Sequence, residues 1–369
     1  MPALRSLKYT GCALSKNQTF LSHSRMTFSA RRAVALWLLA VCALVFAMVV
    51  LGGVTRLTHS GLSMVEWRPI LGAIPPLTET QWLETFVKYQ QTPEYRTVNA
   101  GMTLAGFKGI FWLEYFHRLL GRLIGLVFLL PFLYFLARKQ IDRALLLKLL
   151  ILFALGAAQG LLGWLMVKSG LVDVPRVSPY RLTAHLGLAV LIYAATLWLA
   201  LDLLNPKPPA VACAAPLRRF GIAVTGLIFL MILTGGFVAG TRAGFAFNDW
   251  PFMHGRLVPE GLWAFEPWWI NAFENIAAVQ FNHRLLAYLL CLVVPLYWWV
   301  ARQQKLEPGT RAVFHLLLAM LALQVLLGIA TLHYVVPIPL AAAHQAGAMV
   351  LFTFALLINQ RLRPARAPT

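Results

Sequence analysis

Eight uninterrupted apolar stretches limit what this chain can become more than any other feature. They fall at roughly 33–52, 112–137, 144–167, 181–203, 220–240, 283–301, 313–335 and 339–359. About 20 apolar residues are enough to cross the bilayer as a helix. Backbone groups in lipid must pair within their own segment, so helix is the form such stretches take. The chain has 369 residues, 59% hydrophobic and 12% charged, with mean hydropathy +0.70. A water-soluble chain of that size could not cover so much apolar surface. The expected fold is an all-α membrane protein with eight transmembrane helices.

The net charge of +19 suggests nucleic acid until its location is considered. Eight spans put both termini on one side. The segments on that side hold 19 Lys and Arg against 3 Asp and Glu, whereas the opposite segments hold 13 against 10. The positive-inside rule therefore places the N- and C-termini inside. The basicity reads as a topology signal, and no nucleic-acid partner is expected. Cys12, Cys42, Cys213 and Cys291 lie in spans or inner segments, with no CxxC pair. Neither a structural disulfide nor covalent heme attachment is expected. The first 30 residues are basic and lack acids, as mitochondrial presequences do. They read more simply as an inner tail, or as an extension upstream of a start near Met26.

Two halves of the chain echo each other. "LGGVTRLTHSGLSMVEW" (51–67) matches "TGGFVAGTRAGFAFNDW" (234–250), "ALGAAQGLLGW" (154–164) matches "ALQVLLGI" (322–329), and "TAHLGLAV" (183–190) matches "AAHQAGAM" (342–349). The expected organisation is two tandem pseudo-symmetric four-helix bundles, as in parallel repeats. They comprise an N-terminal tail 1–32, a first half 33–203, an inner linker 204–219, a second half 220–359 and a C-terminal tail 360–369. The outer loops 53–110 and 241–281 are long, and "TETQWLETFVKYQ" (78–90) has the apolar spacing of a short interfacial helix.

Four histidines recur at matching positions. His117 and His283 stand in "LEYFHR" and "VQFNHR"; His185 and His344 follow Pro179 and Pro339 by six and five residues. A single histidine near a helix end is usually capped or interfacial. Four in a repeated pattern inside membrane segments point to function. Facing imidazoles can clamp a planar metal cofactor inside a helix bundle. The expectation is two bis-histidine heme pockets, His117 with His185 and His283 with His344. Zinc fits poorly, with no HExxH and no third ligand. His23, His59, His254, His315 and His333 lack that repeated support. Arg118 and Arg284, next to the histidines, and Arg56 and Arg242, in matching loop positions, could hold heme propionates, or simply snorkel to the interface.

The repeat is chemically unequal at one place. Glu114 precedes His117 by three residues and Arg118 by four, on one helix face. It could merely pair with Arg118. Arg284, however, has Gln280 at the matching position, so the arginine does not require an acid. A carboxylate beside a heme could move protons or stabilise developing charge. The division of labour that follows is chemistry in the first half and electron relay in the second.

At these residues the chain resembles the heme A synthase family. The likeness runs from about 33 to 359 and is carried by "GGVTRLTHSGLSM", the E-x-x-H-R of Glu114 to Arg118, and the histidines of spans two, four, six and eight. It is most similar to the proteobacterial and mitochondrial branch, because the first outer loop lacks the cysteine pair typical of the Gram-positive branch. The resemblance implies a membrane oxidoreductase that oxidises a porphyrin-rim methyl of heme O to a formyl group, for cytochrome oxidase assembly. It implies that His117 and His185 flank substrate heme O with Glu114 catalytic, and that His283 and His344 bind a resident heme b. It further implies a farnesyl tail lying among apolar helix surfaces, a heme O synthase (a farnesyltransferase) as neighbour, and the bacterial cytoplasmic membrane, with the mitochondrial inner membrane as the alternative. The electron donor and self-association stay open. Two other readings compete: a diheme b-type electron-transfer cytochrome, which leaves Glu114 idle, and a heme or ion transporter, which lacks a mid-membrane acidic pair and broken helices.

Overall fold

The computed structural model describes residues 26–66, 71–171, 175–205 and 215–363. The basic N-terminal segment, most of the inner linker, Cys12, Cys213 and His23 lie outside these. Among the described residues the regular structure is helical: α1 (Phe28–Leu57), α2 (Glu79–Gln90), α3 (Pro93–Thr97), α4 (Leu104–Ala137), α5 (Arg143–Gly170), α6 (Pro179–Leu204), α7 (Ala215–Thr241), α8 (Asn271–Glu274), α9 (Ile276–Arg302), α10 (Pro308–His333) and α11 (Ile338–Arg361). Eight of these, all but α2, α3 and α8, are long and apolar enough to cross a membrane.

Local chemistry sets the helix starts. Thr27, Thr103, Asp142 and Asn275 each accept a backbone N–H from the first turn of α1, α4, α5 and α9. Proline opens α6 and α10, where its missing N–H does no harm. Two starts differ from expectation: α4 begins at Leu104 rather than 112, and α9 at Ile276 rather than 283. The cause is the cap at Thr103 or Asn275. For α4 there is also an aromatic cluster. Trp82, Phe86 and Tyr89 of α2 pack against Phe107, Phe111 and Tyr115 of α4. The Tyr89 and Phe107 rings stack at 5.1 Å, and Trp82 meets Phe111 edge-on at 4.9 Å. At 34 residues α4 spans about 51 Å, so its first turns carry the outer loop rather than lipid. The segment 78–90 does form the short helix expected there, with a full capping box at Thr78 and Gln81.

α1 packs on α4, α6 and α11; α5 packs on α6; α7 packs on α6, α9 and α11; α10 packs on α9 and α11. The contacts of α1 with α4 and α6 thus have counterparts in those of α7 with α9 and α11. One apolar core runs through all eight long helices. It includes Val34 to Val49 of α1, Phe128 to Phe135 of α4, Leu145 to Leu152 of α5 and Ala189 to Ala200 of α6. The later helices supply Leu217 to Ile232, Leu290 to Ala301, Val313 to Leu321 and Met349 to Ile358. Every one of these stretches stops short of the four repeated histidines. On α4, His117 stands between this core and the aromatic cluster shared with α2.

Candidate functional site

Glu114 is 2% exposed, and its oxygens accept four hydrogen bonds. Oε2 accepts from Ser63 Oγ at 2.7 Å and from the Met64 backbone N–H at 2.8 Å. Oε1 accepts from Arg118 Nε at 2.9 Å and again from Arg118 Nη2. Ser63 and Met64 belong to the "TRLTHSGLSM" string that leaves α1. That string turns back through a bond from Ser60 N to Thr55 O at 2.9 Å and buries Ser60, Leu62 and Ser63. Its folded role is to bring two donors to one carboxylate. Arg118 also donates to Met64 O at 2.8 Å and Glu66 O at 3.1 Å, pinning the same loop.

The matching position in the second half does the pinning without an acid. Gln280 Nε2 donates to Phe247 O at 2.9 Å. Arg284 donates to Asp249 O at 3.0 Å, Phe252 O at 2.8 Å and Phe247 O at 3.0 Å. The ion pair of Glu114 with Arg118 exists, so simple charge pairing has a structural counterpart. It does not account for the Ser63 hydroxyl and the Met64 N–H, which also donate to the acid.

The donors of Arg118, and the Nη groups of Arg284, are thus engaged by Glu114 or by loop carbonyls. Arg56 and Arg242 lie elsewhere, where α1 ends beside α7. Arg56 donates to Ala239 O, and Arg242 Nη2 faces His59 Nδ1 at 3.3 Å. Burial, then the charges of Arg242 and Arg56, hold His59 below the usual histidine range. His59 therefore stays neutral and can accept from Arg242.

The four repeated histidines share one setting. Each sits against a glycine on a neighbouring helix. A Cβ on Gly52, Gly163 or Gly328 would stand 2.9 Å from Cε1 of His117, His185 or His344, and one on Gly235 would stand 3.3 Å from Cε1 of His283. Gln159 Nε2 donates to His185 O at 3.0 Å, and Gln324 Nε2 to His344 O at 2.8 Å. His117 on α4 and His185 on α6 lie on helices that both pack on α1, and His283 on α9 and His344 on α11 on helices that both pack on α7. Nδ1 of His117, His185 and His344 is buried without a protein partner, whereas that of His283 meets Thr234 Oγ1 at 2.8 Å. Unpartnered buried polar atoms are rare and call for a reason. Among the described residues, no three His, Cys, Asp or Glu side chains converge to hold a bare metal ion. Paired imidazoles, each backed by a glycine, instead suit a flat ligand whose metal needs two axial donors.

The other described histidines have ordinary surroundings. His315 Nδ1 accepts from Trp298 at 3.0 Å, His254 lies on the Phe247 ring, and His333 ends α10 against Tyr334.

With this geometry in view, comparison with known proteins is decisive. The profile of the family described as cytochrome oxidase assembly protein matches residues 35–356. The chain belongs to this family. The match begins inside α1 and ends inside α11, so it takes in every long helix. The heme A synthase of Nitrosospira multiformis is 57% identical over 338 residues, covering 91% of this chain and 95% of that protein. The heme A synthase of Nitrosomonas eutropha is 56% identical over 332 residues, with 89% and 93% covered. The heme A synthase COX15 of Arabidopsis thaliana is 46% identical over 345 residues, with 90% and 75% covered. Relatives from both bacteria and a plant agree with the branch expected from the sequence.

Sequence spacing alone does not single out several residues that surround the repeated histidines and Glu114. The glycines and glutamines behind the histidines lie within the strings that reveal the repeat, "AAQGLLG" and "ALQVLLG". Their coincidence with a histidine pair was the available signal. Ser63 lies in the family's most specific string, yet no spacing rule ties it to Glu114.

Proposed function

We propose that this chain oxidises a rim methyl of heme O to the formyl group of heme A, as its relatives' name implies. The observation that carries this is Glu114, a buried carboxyl fixed by Ser63, Met64 and Arg118 three residues before His117. In this reading His117 and His185 flank the substrate porphyrin, and Gly52 and Gly163 let the imidazoles stand close to their neighbouring helices. Glu114 takes a proton from one hydroxyl of the twice-hydroxylated rim carbon and gives one to the other as water leaves and the formyl C=O forms, a step in which nothing is oxidised or reduced. Its fixed loop keeps it aimed without cost at the moment of reaction. Arg56 and Arg242 are the preferred propionate anchors, because each makes a single side-chain hydrogen bond, to Ala239 O or His59, whereas Arg118 and Arg284 each make three or more.

His283 and His344 would hold a resident heme b, which supplies single-electron relay when bound. Gly235 and Gly328 form its cradle, and Thr234 orients the His283 ring. Two four-helix halves related along the membrane normal, the cytoplasmic membrane of a bacterium and inward-facing termini complete the proposal, with a heme O synthase as supplier of substrate.

The test is the pigment. The protein is produced in cells that make heme O but lack heme A, and its porphyrins are extracted with acid-acetone. Heme A or heme O beside heme b supports the synthase. Heme b alone, at two per chain, supports a diheme relay instead.

A further inference from the structure

Each half of the chain carries a pair of glycines near the end of its first long helix, Gly52 and Gly53 in α1, Gly235 and Gly236 in α7. The first glycine of each pair faces the repeated histidine of its own half, His117 or His283. The second faces the other half. A β-carbon on Gly236 would stand 2.9 Å from Thr183 Oγ1 of α6, just before His185. One on Gly53 would stand 2.8 Å from Cδ of Gln345 in α11, and closer still to its Oε1. Gln345 directly follows His344. The two crossings differ in chemistry. Thr183 Oγ1 is buried without a hydrogen-bond partner. Gln345 Nε2 donates to Val49 O of α1 at 2.7 Å, 296 positions away in the chain. Val49 is buried, one helical turn before Gly53. In membranes small residues let helix backbones approach closely, and polar side chains hydrogen-bond across the crossing.

We propose that Gln345 is the strut that fixes the two porphyrin pockets relative to each other. The inference rests on the two-pocket reading above. The contacts run from His344 to its neighbour Gln345, on to Val49 and Gly53 of α1, and through Gly52 to the His117 ring. Each step is a chain neighbour, one turn of α1 or a direct contact. His283 lies outside this path. Relay between two porphyrins needs a constant separation and tilt. Gln345 holds them constant and itself exchanges neither electron nor proton, so it is a positioning residue. Thr183 makes no such bond, so the tie is one-sided.

The experiment compares full-length wild type with Gln345→Met, Gln345→Ala, Gly53→Ala, the double variant of Gly53→Ala with Gln345→Ala, and Gln324→Ala, all in lipid vesicles. Gln324 is the control: it bonds to His344 O at 2.8 Å, but from within the second half. Isotope-labelled histidine in porphyrin-free protein gives imidazole nitrogen resonances, assigned by replacing His117 or His344 in turn. Gln345→Met keeps the length of the side chain and loses the donor. It should move the resonances of both His117 and His344, whereas Gln324→Ala moves that of His344 alone. In pigmented protein Gln345→Met should lower kcat about tenfold with KM little changed. Gly53→Ala should move both resonances by pushing the amide aside. Adding Gln345→Ala to it should give no more than Gln345→Ala alone, because the two residues share one contact. A change confined to His344, or a wild-type kcat, in Gln345→Met overturns the proposal, as do additive effects of Gly53→Ala and Gln345→Ala. Should Gly53→Ala not fold, Gln345→Met against Gln324→Ala decides. A wild type that binds fewer than two porphyrins defeats the two-pocket reading, while the histidine resonances still judge the strut on its own.

Discussion

A β-carbon on Gly163 would stand 2.9 Å from Cε1 of His185, closer than side-chain contacts allow. The imidazole is the movable partner, so Gly163→Ala should turn the ring rather than break α5. The expected result is porphyrin bound about tenfold more weakly, near 1.4 kcal/mol, with little change in melting temperature. Gly160, one turn away with open space around it, is the control for alanine in this helix. Reduced-minus-oxidised spectra check both. Equal loss of pigment from Gly160→Ala would remove the argument from ring contact.

The eight helices were legible because each is an apolar run of spanning length bounded by a cap or proline. The starts of α4 and α9 were not, since Thr103 and Asn275 cap helices that run on beyond the apolar stretch. The four histidines and Glu114 stood out through repetition and its single failure. Ser63 and Glu94 did not. A lone serine or acid in a loop has no period, and both gain their meaning only when the loop folds back over α4. In sequence the four arginines read only as charges near the repeated histidines. Which of them loop carbonyls would occupy depends on backbone positions that sequence spacing does not encode.

Glu114→Gln should leave porphyrin bound and reduce methyl oxidation by at least about 100-fold, the ordinary contribution of a placed acid–base group. The amide keeps an oxygen for Ser63 and Met64 but puts an N–H₂ where Arg118 donates, so some loosening of loop 60–66 accompanies the change. Chromatography of extracted hemes measures it. Continued formation of heme A would return Glu114 to the role of Arg118's ion-pair partner.

His283→Met should disturb the second porphyrin and slow turnover while the first pocket stays intact. Thr234 loses the imidazole but keeps its bond to Met231 O at 2.9 Å, and Gly235 no longer faces a ring. The check is a shifted spectrum and potential for one heme only, with heme O still bound at His117 and His185. Loss of both pigments together would mean that the pockets are not independent.

Glu94 makes the outer hairpin α2–α3 sensitive to pH. Its folded value of about 7 lies above the ordinary 4.5, so the folded hairpin holds a proton that the unfolded one releases first. The stabilisation is complete below about 4.5 and is lost as pH rises through about 7, an effect on the order of 3 kcal/mol for a group this buried. Amide hydrogen exchange across Trp82 to Tyr95, corrected for intrinsic rates, should show weaker protection above neutrality than in mild acid. Glu94→Gln, which cannot ionise, should flatten that dependence and keep the protection of the acidic state throughout. Protection that is independent of pH in wild type would mean that Glu94 carries its charge into the fold, with Arg242 rather than a proton balancing it.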